Sequence, residues 1–283
     1  MTMPTTRKIV RPPVDERGGV GGALRPAISI ADDMARPVRV LIDRMAKEIK
    51  RELIAVFHET GMDHSHGMDA ADGSIRSRVV LNKLQDKWAP RFNRLSKKIV
   101  DRMISRVLKN SAVTLGMSLR QISKNFEVDT SFIDERLKQV ISASTQEAAN
   151  LIKLIPQNYL ADVQGAVMRS ITTGRGMKDL VPYLNEKYDG NIRWARNVAM
   201  DQTRKAYSNV NAARLQAIGV QSFVWIHTGG GAHPRKDHIA MSGKEYRYDA
   251  LPVIGVMYGK EVRGKPGDLP FCRCIMKPIL NWN

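Results

Sequence analysis

Between Lys83 and Lys109 the chain carries two interlocked stripes with the period of an α-helix. Lys83, Lys87, Arg91, Arg94, Lys98, Arg102, Arg106 and Lys109 recur at intervals of three or four residues. Leu84, Trp88, Phe92, Leu95, Ile99, Met103 and Val107 follow one residue behind, with the same period. Spacings of three and four return to one helix face, so the stretch reads as a long amphipathic helix. Its apolar face belongs in a bundle, and a cationic ridge runs beside that face. Pro90 is the interruption, since a proline inside a helix removes a hydrogen bond and costs ~3 kcal/mol. The helix either kinks there or restarts with Pro90 in its first turn, and the phase of both stripes survives either way.

That ridge accounts for most of the charge. The 283 residues hold 45 Lys+Arg against 28 Asp+Glu, a formal +17, with a pI near 10.1. Residues 75–125 alone hold thirteen basic groups against Asp86 and Asp101, or +11. A ridge so poor in acids suits a polyanion: DNA phosphates, bound without regard to sequence through counterion release, or an acidic protein surface. The competing reading is a solvated helix face. No aromatic residue interleaves with the ridge, so stacking on single strands is not supported.

The remaining composition narrows the class. At 43% hydrophobic and 6% aromatic, the chain has a core of the kind helix-rich proteins build. Its two cysteines stand one residue apart, which excludes a disulfide scaffold and favours a reducing compartment. No apolar run approaches the ~18–20 residues of a membrane span. Prolines stand near the N-terminus where a signal peptide would need apolar residues, so a soluble, unsecreted chain is expected.

Residues 1–30, rich in Pro, Gly and Arg, read as a flexible basic arm. A first helix is expected from about Pro37 to Glu59, closed by Gly61, and Gly61–Ser74 reads as a loop whose His64 and His66 are a weak metal pair. A helix capped at Asp129–Ser131 should end at Pro156. Residues 31–157 thus form a helical domain bearing the basic ridge. Beyond it, short helices fit Tyr159–Thr172 and Met177–Tyr188, and a longer one fits Ile192–Ile218 with Gly219 as its cap. Strands then fit Gln221–His227 and Phe271–Ile279. The fold class is α+β: a mainly helical N-terminal domain and a small α+β domain over 158–283 with a short sheet.

The C-terminal half also carries an ordered set of motifs. Asp201-Gln202-Thr203-Arg204 with Asn209 lies on a helix, followed by Gly219 and a strand holding Trp225. Arg235 and His238 come next, then Gly243, the Pro266-Gly267 turn, and Cys272-Arg273-Cys274. This order resembles the phage Mu F-like minor head proteins, the head morphogenesis family, over about the last 115 residues. Phe271 stands where that family usually has Asn before the first Cys. Gln202-Thr203-Arg204 replaces the usual Arg-Thr-Glu, and Gly230-Gly231-Ala232 stands where an Asp is usual. The resemblance implies a minor structural head protein of a tailed bacteriophage, present in few copies in the virion after assembly in the host cytoplasm. Its partners would be the portal or the major capsid protein, and its roles head morphogenesis and, beyond that, DNA packaging or delivery.

The same residues admit chemistry. His233, His238, Cys272 and Cys274 are a permissible tetrahedral zinc set, although Cys-x-Cys is tighter than the usual spacing. Against this, His238 could bond locally while both thiols pack into the core, leaving no cofactor. Paired histidines beside Arg235, Lys236 and Arg273 also have the makings of a metal-independent nuclease site, but no acidic partner accompanies them. The expectation is a non-enzymatic virion protein. A nucleic-acid-binding protein unrelated to virions and a nuclease-type effector are the alternatives.

Overall fold

The computed structural model describes residues 18–62, 70–124, 128–229 and 233–280. Most of the proposed arm, His64 and His66, and Gly230-Gly231-Ala232 lie outside them. The described residues are 67% helical, with small antiparallel sheets confined to the C-terminal region plus one short N-terminal strand, so the fold is α+β as expected.

Four long helices dominate: α1 (Ile28–Glu59), α2 (Ala70–Arg120), α3 (Glu135–Thr172) and α4 (Met177–Ala217). Each contains an internal proline, at Pro37, Pro90, Pro156 and Pro182 respectively. Against expectation, Pro156 does not end its helix. Ile152, Ile155, Tyr159, Leu160, Val163 and Val167 are all buried, so one apolar stripe runs through the proline without losing phase. Burying that stripe outweighs the lost hydrogen bond, because packing rather than propensity supplies most helical stability. For the same reason the helices expected at Met177–Tyr188 and Ile192–Ile218 are one, and α2 passes Gly116. Asp129–Ser131 does not cap α3. Asp129 accepts the Ser131 backbone N–H at 2.8 Å in a turn ahead of it. The cap is Asp134, whose Oδ1 accepts the Leu137 N–H at 2.8 Å.

The chain divides into two compact units, each built from separated stretches. The expected division at 157/158 falls inside α3, and the units do not follow it. The helical unit comprises Asp32–Asp101 and Gln146–Ala199. Its core gathers Ile42, Met45, Ile49, Leu53 and Phe57 from α1 with Trp88 and Phe92 from α2. The Trp88 indole N–H donates to Glu48 Oε2 at 3.0 Å, and Lys87 donates to the other carboxylate oxygen. Burial alone would raise the Glu48 carboxyl, but these hydrogen bonds and the Lys87 charge hold it below its usual range. Glu59 pairs with Arg76 at 3.5 Å, so contacts climb α1 as they descend α2 and the two run antiparallel. Tyr188 to Asp43 at 3.1 Å and Lys50 to Asn185 at 3.1 Å show the same for α1 and α4.

The mixed unit comprises Met1–Ala31, Arg102–Thr145 and Met200–Asn283. Its strands are β1 (Gly19–Val20), β2 (Ser222–Ile226), β3 (Glu245–Arg247), β4 (Val253–Met257), β5 (Lys260–Arg263) and β6 (Ile275–Leu280), with one short helix, α5 (Lys236–Ala240). One sheet has the order β1-β6-β2-β3, all antiparallel, and β4 and β5 form a hairpin. Part of the proposed arm is therefore ordered: Gly19 pairs with Leu280, and Leu24 is buried. Arg214 of α4 is also buried, donating to Leu108 O at 3.0 Å and Ser111 Oγ at 2.9 Å. Burial pushes its guanidinium down to about 10, which still leaves it charged at neutral pH.

Candidate functional site

The mixed unit concentrates its chemistry where β2 ends and β6 begins. The register pairs Trp225 with Met276 and Ile226 with Ile275. One step further it sets His227 opposite Cys274, and His227 Nδ1 lies 3.5 Å from Cys274 Sγ. Side chains alternate along a strand, so Cys274 shares the buried face of Met276, and His227 shares that of Trp225. Cys272 lies two residues before Cys274 and returns to the same side, while Arg273 between them faces outward and is exposed.

The third side comes from α5. His238 is its buried residue, 2% exposed, and its ring meets the Trp225 indole edge-on with centroids 5.1 Å apart. Nε2 lies 3.0 Å from the Ile254 carbonyl oxygen of β4. A carbonyl only accepts, so Nε2 carries the hydrogen, and Nδ1 faces the sulfurs, 3.6 Å from each. The ligand atoms of His238, Cys272 and Cys274 all lie within 4.8 Å of one another, the one such cluster among the described residues.

Most of the motif residues hold this cluster in place. Gly243, at φ +84°, turns the chain after α5 back onto β2, where its N–H donates to Trp225 O at 2.8 Å. An L side chain is strained at that φ, which is why glycine stands there. Gly267, at φ +94°, lies against α4, where an added Cβ would come 3.0 Å from Ser208 Cβ; Ser208 also donates to Pro266 O. Asp201 accepts the Phe271 backbone N–H, and Arg235 Nη2 donates to Pro270 O at 3.0 Å. Arg204 is half-buried near Asp201, Cys272 and Arg273, and burial first, then the Arg273 charge, lower its pKa. The Gly267, Asp201 and Arg235 contacts fix the segment that delivers the cysteines, and the Gly243 bond fixes α5 against β2.

The electrostatics follow from the same neighbours. A hydrogen bond from Cys274 holds the Cys272 thiol well below its ordinary value despite burial. His238 and the backbone N–H groups of Gly267 and Cys274 add to that. The bond to Cys272, with burial, pushes Cys274 up. His238 is raised, chiefly by its bond to Cys272.

The structure brings together three of the four residues proposed for zinc. His233 is exposed and outside the cluster, and the second histidine at the sulfurs is His227. His238, which the nuclease reading would use, is buried, with both ring nitrogens close to protein groups. The ridge residues are elsewhere, on α2. Lys83, Lys87, Arg91, Arg94 and Lys98 belong to the helical unit's stretch, and Arg102, Arg106 and Lys109 to that of the mixed unit. All are exposed except Arg106, which is half-buried and donates to Ser29. Arg91 lies over the Trp88 ring at 4.8 Å.

Residues 161–277 match the family described as Phage Mu protein F like protein, which bears out the resemblance over the C-terminal region. An uncharacterized protein of Haemophilus influenzae is 22% identical over 253 residues, covering 87% of this chain and 52% of its own length. The chain thus spans about half the length of that relative. No solved structure matches it. Among the described residues no helix is long and apolar enough to cross a membrane.

Proposed function

We propose that this protein is a minor head protein of a tailed bacteriophage, acting in head morphogenesis at the portal or the inner capsid surface. The observation that carries this is the Mu F-like match over 161–277, whose motif residues are the ones that brace the His-Cys cluster. The C-terminal motifs then serve architecture rather than catalysis, and the protein acts without turnover. The exposed cations of α2 supply a second surface, suited to packaged DNA or to an acidic wall of the particle. Non-virion nucleic-acid binding would use that surface alone and leave the C-terminal match unexplained.

Quantitative mass spectrometry of purified particles tests this. The protein should co-purify with heads at a few copies per portal, and particles assembled without it should be defective or incomplete. Normal assembly, with no copy in the heads, would overturn the reading.

A further inference from the structure

We propose that His238, Cys272, Cys274 and His227 form a structural zinc site. The distances carry the argument. With Zn–S near 2.3 Å and Zn–N near 2.0–2.1 Å in a tetrahedron, the N···S edges come to about 3.6 Å. Three of the four N···S separations among these residues are 3.6, 3.6 and 3.5 Å, two of them from His238 and one from His227 to Cys274. A thiol–imidazole hydrogen bond would account for one such separation. One ring nitrogen equidistant from two sulfurs, with a second imidazole on one of them, is the pattern a shared central ion imposes.

The surroundings have the features of an outer shell. Metal-bound histidines commonly donate their second ring N–H to a carbonyl, which fixes the tautomer and aims the free nitrogen inward. His238 does this to Ile254 O at 3.0 Å. The indole N–H of Trp225 is buried without a regular hydrogen bond among the described residues, and the Cys274 sulfur is the acceptor beside it. A thiolate there would satisfy it.

Charge is also consistent. In the bound state any remaining thiol proton has gone to solvent, and two thiolates with two neutral imidazoles offset Zn²⁺ in full, so no net charge is buried. His227 touches one sulfur as it stands, and in the proposed site its ring would turn toward Cys272 to supply the fourth ligand. The site would tie β2, α5 and β6 together at their common edge. That suits a unit whose sheet is small and whose connections are long.

The test uses the full chain, stripped by chelator and titrated with zinc alone and with cobalt(II) alone. One zinc per chain should bind, and the cobalt form should show tetrahedral visible bands with thiolate charge transfer. X-ray absorption of the zinc form should find two sulfur and two nitrogen neighbours. Cys272→Ser, Cys274→Ser and His238→Ala should each weaken binding more than about 100-fold, beyond the cost of an outer-shell change. His227→Ala should likewise weaken it more than about 100-fold, with His233→Ala unchanged. Should those variants fail to fold, the wild-type spectra and stoichiometry still decide. Absence of stoichiometric zinc, an octahedral cobalt spectrum, a metal-free Cys272–Cys274 disulfide in reduced preparations, or a requirement for His233 in place of His227 would each overturn the proposal.

Discussion

Phe271 holds a φ of +59° and is 56% exposed. A bulky L residue is strained in the left-handed region, whereas Asn tolerates it through local hydrogen bonding. The family that resembles this region usually has Asn at that position, and the backbone gives the reason: the turn that delivers Cys272 requires it. Phe271→Asn should therefore stabilise the protein by about 1 kcal/mol in denaturant unfolding without displacing the cysteines. A loss of stability would mean that the phenyl ring contributes more than the backbone strain costs. His227 shows the limit of reading residues singly. Its strand is legible in the sequence, and so is that of Cys274, but their opposition depends on register, which two short strands do not announce. His233 looks the better ligand on sequence because it lies five residues from His238, a proximity the fold does not use. Arg214 escapes notice for a related reason: a lone arginine in a helix gives no sign of being buried.

At the scale of elements, α2 behaves as its periodicity demands. Trp88, Phe92 and Met103 are buried and the basic positions beside them are outward, so the interlocked stripes are legible in full. The helix ends are not. Prolines and glycines read as stops, whereas apolar stripes continuing in phase on both sides override them. The structure also sorts the ridge. Lys87 pairs with Glu48 and Arg91 covers Trp88, so both belong partly to the core's edge. Arg102 and Lys109 are exposed with no ion-pair partner among the described residues, and so are Lys83, Arg94 and Lys98, the three in the helical unit's stretch that are available to an external anion. Replacing these three with Gln should leave the fold intact. If the ridge binds DNA, the slope of log K against log salt should then fall by about 2–3, near 0.9 for each phosphate no longer neutralised. An unchanged slope in a fluorescence-anisotropy titration would exclude DNA as the partner of this face.

For the whole molecule, the sequence suggests two consecutive domains, and the chain instead builds its units from alternating stretches. The helical stripes carry no hint of this, because one continuous helix can serve two cores in turn. The family match begins at 161, yet the unit containing its motifs also draws on 102–145 and on the described part of 1–31. Arg214 donates to Leu108 O at 3.0 Å, Thr114 pairs with Tyr207, and Ser111 donates to Asn211 at 2.9 Å. A fragment spanning 158–283 would be deprived of these partners. It should give poorly dispersed NMR spectra and rapid proteolysis, while the full chain resists. A well-dispersed, protease-resistant fragment would show that the motif region folds alone.

The pairing of Gly19–Val20 with Ile279–Leu280 has a consequence for how this protein is made. A ribosome releases the first of these strands about 260 residues ahead of the second, long before its neighbour exists. At ~5–20 residues per second that interval lasts on the order of tens of seconds. For most of it β2 and β3 are also unmade, and only over the last stretch does a β2-β3 edge wait for β6. Its final closure is thus a late event in translation, set by the last strand to be made.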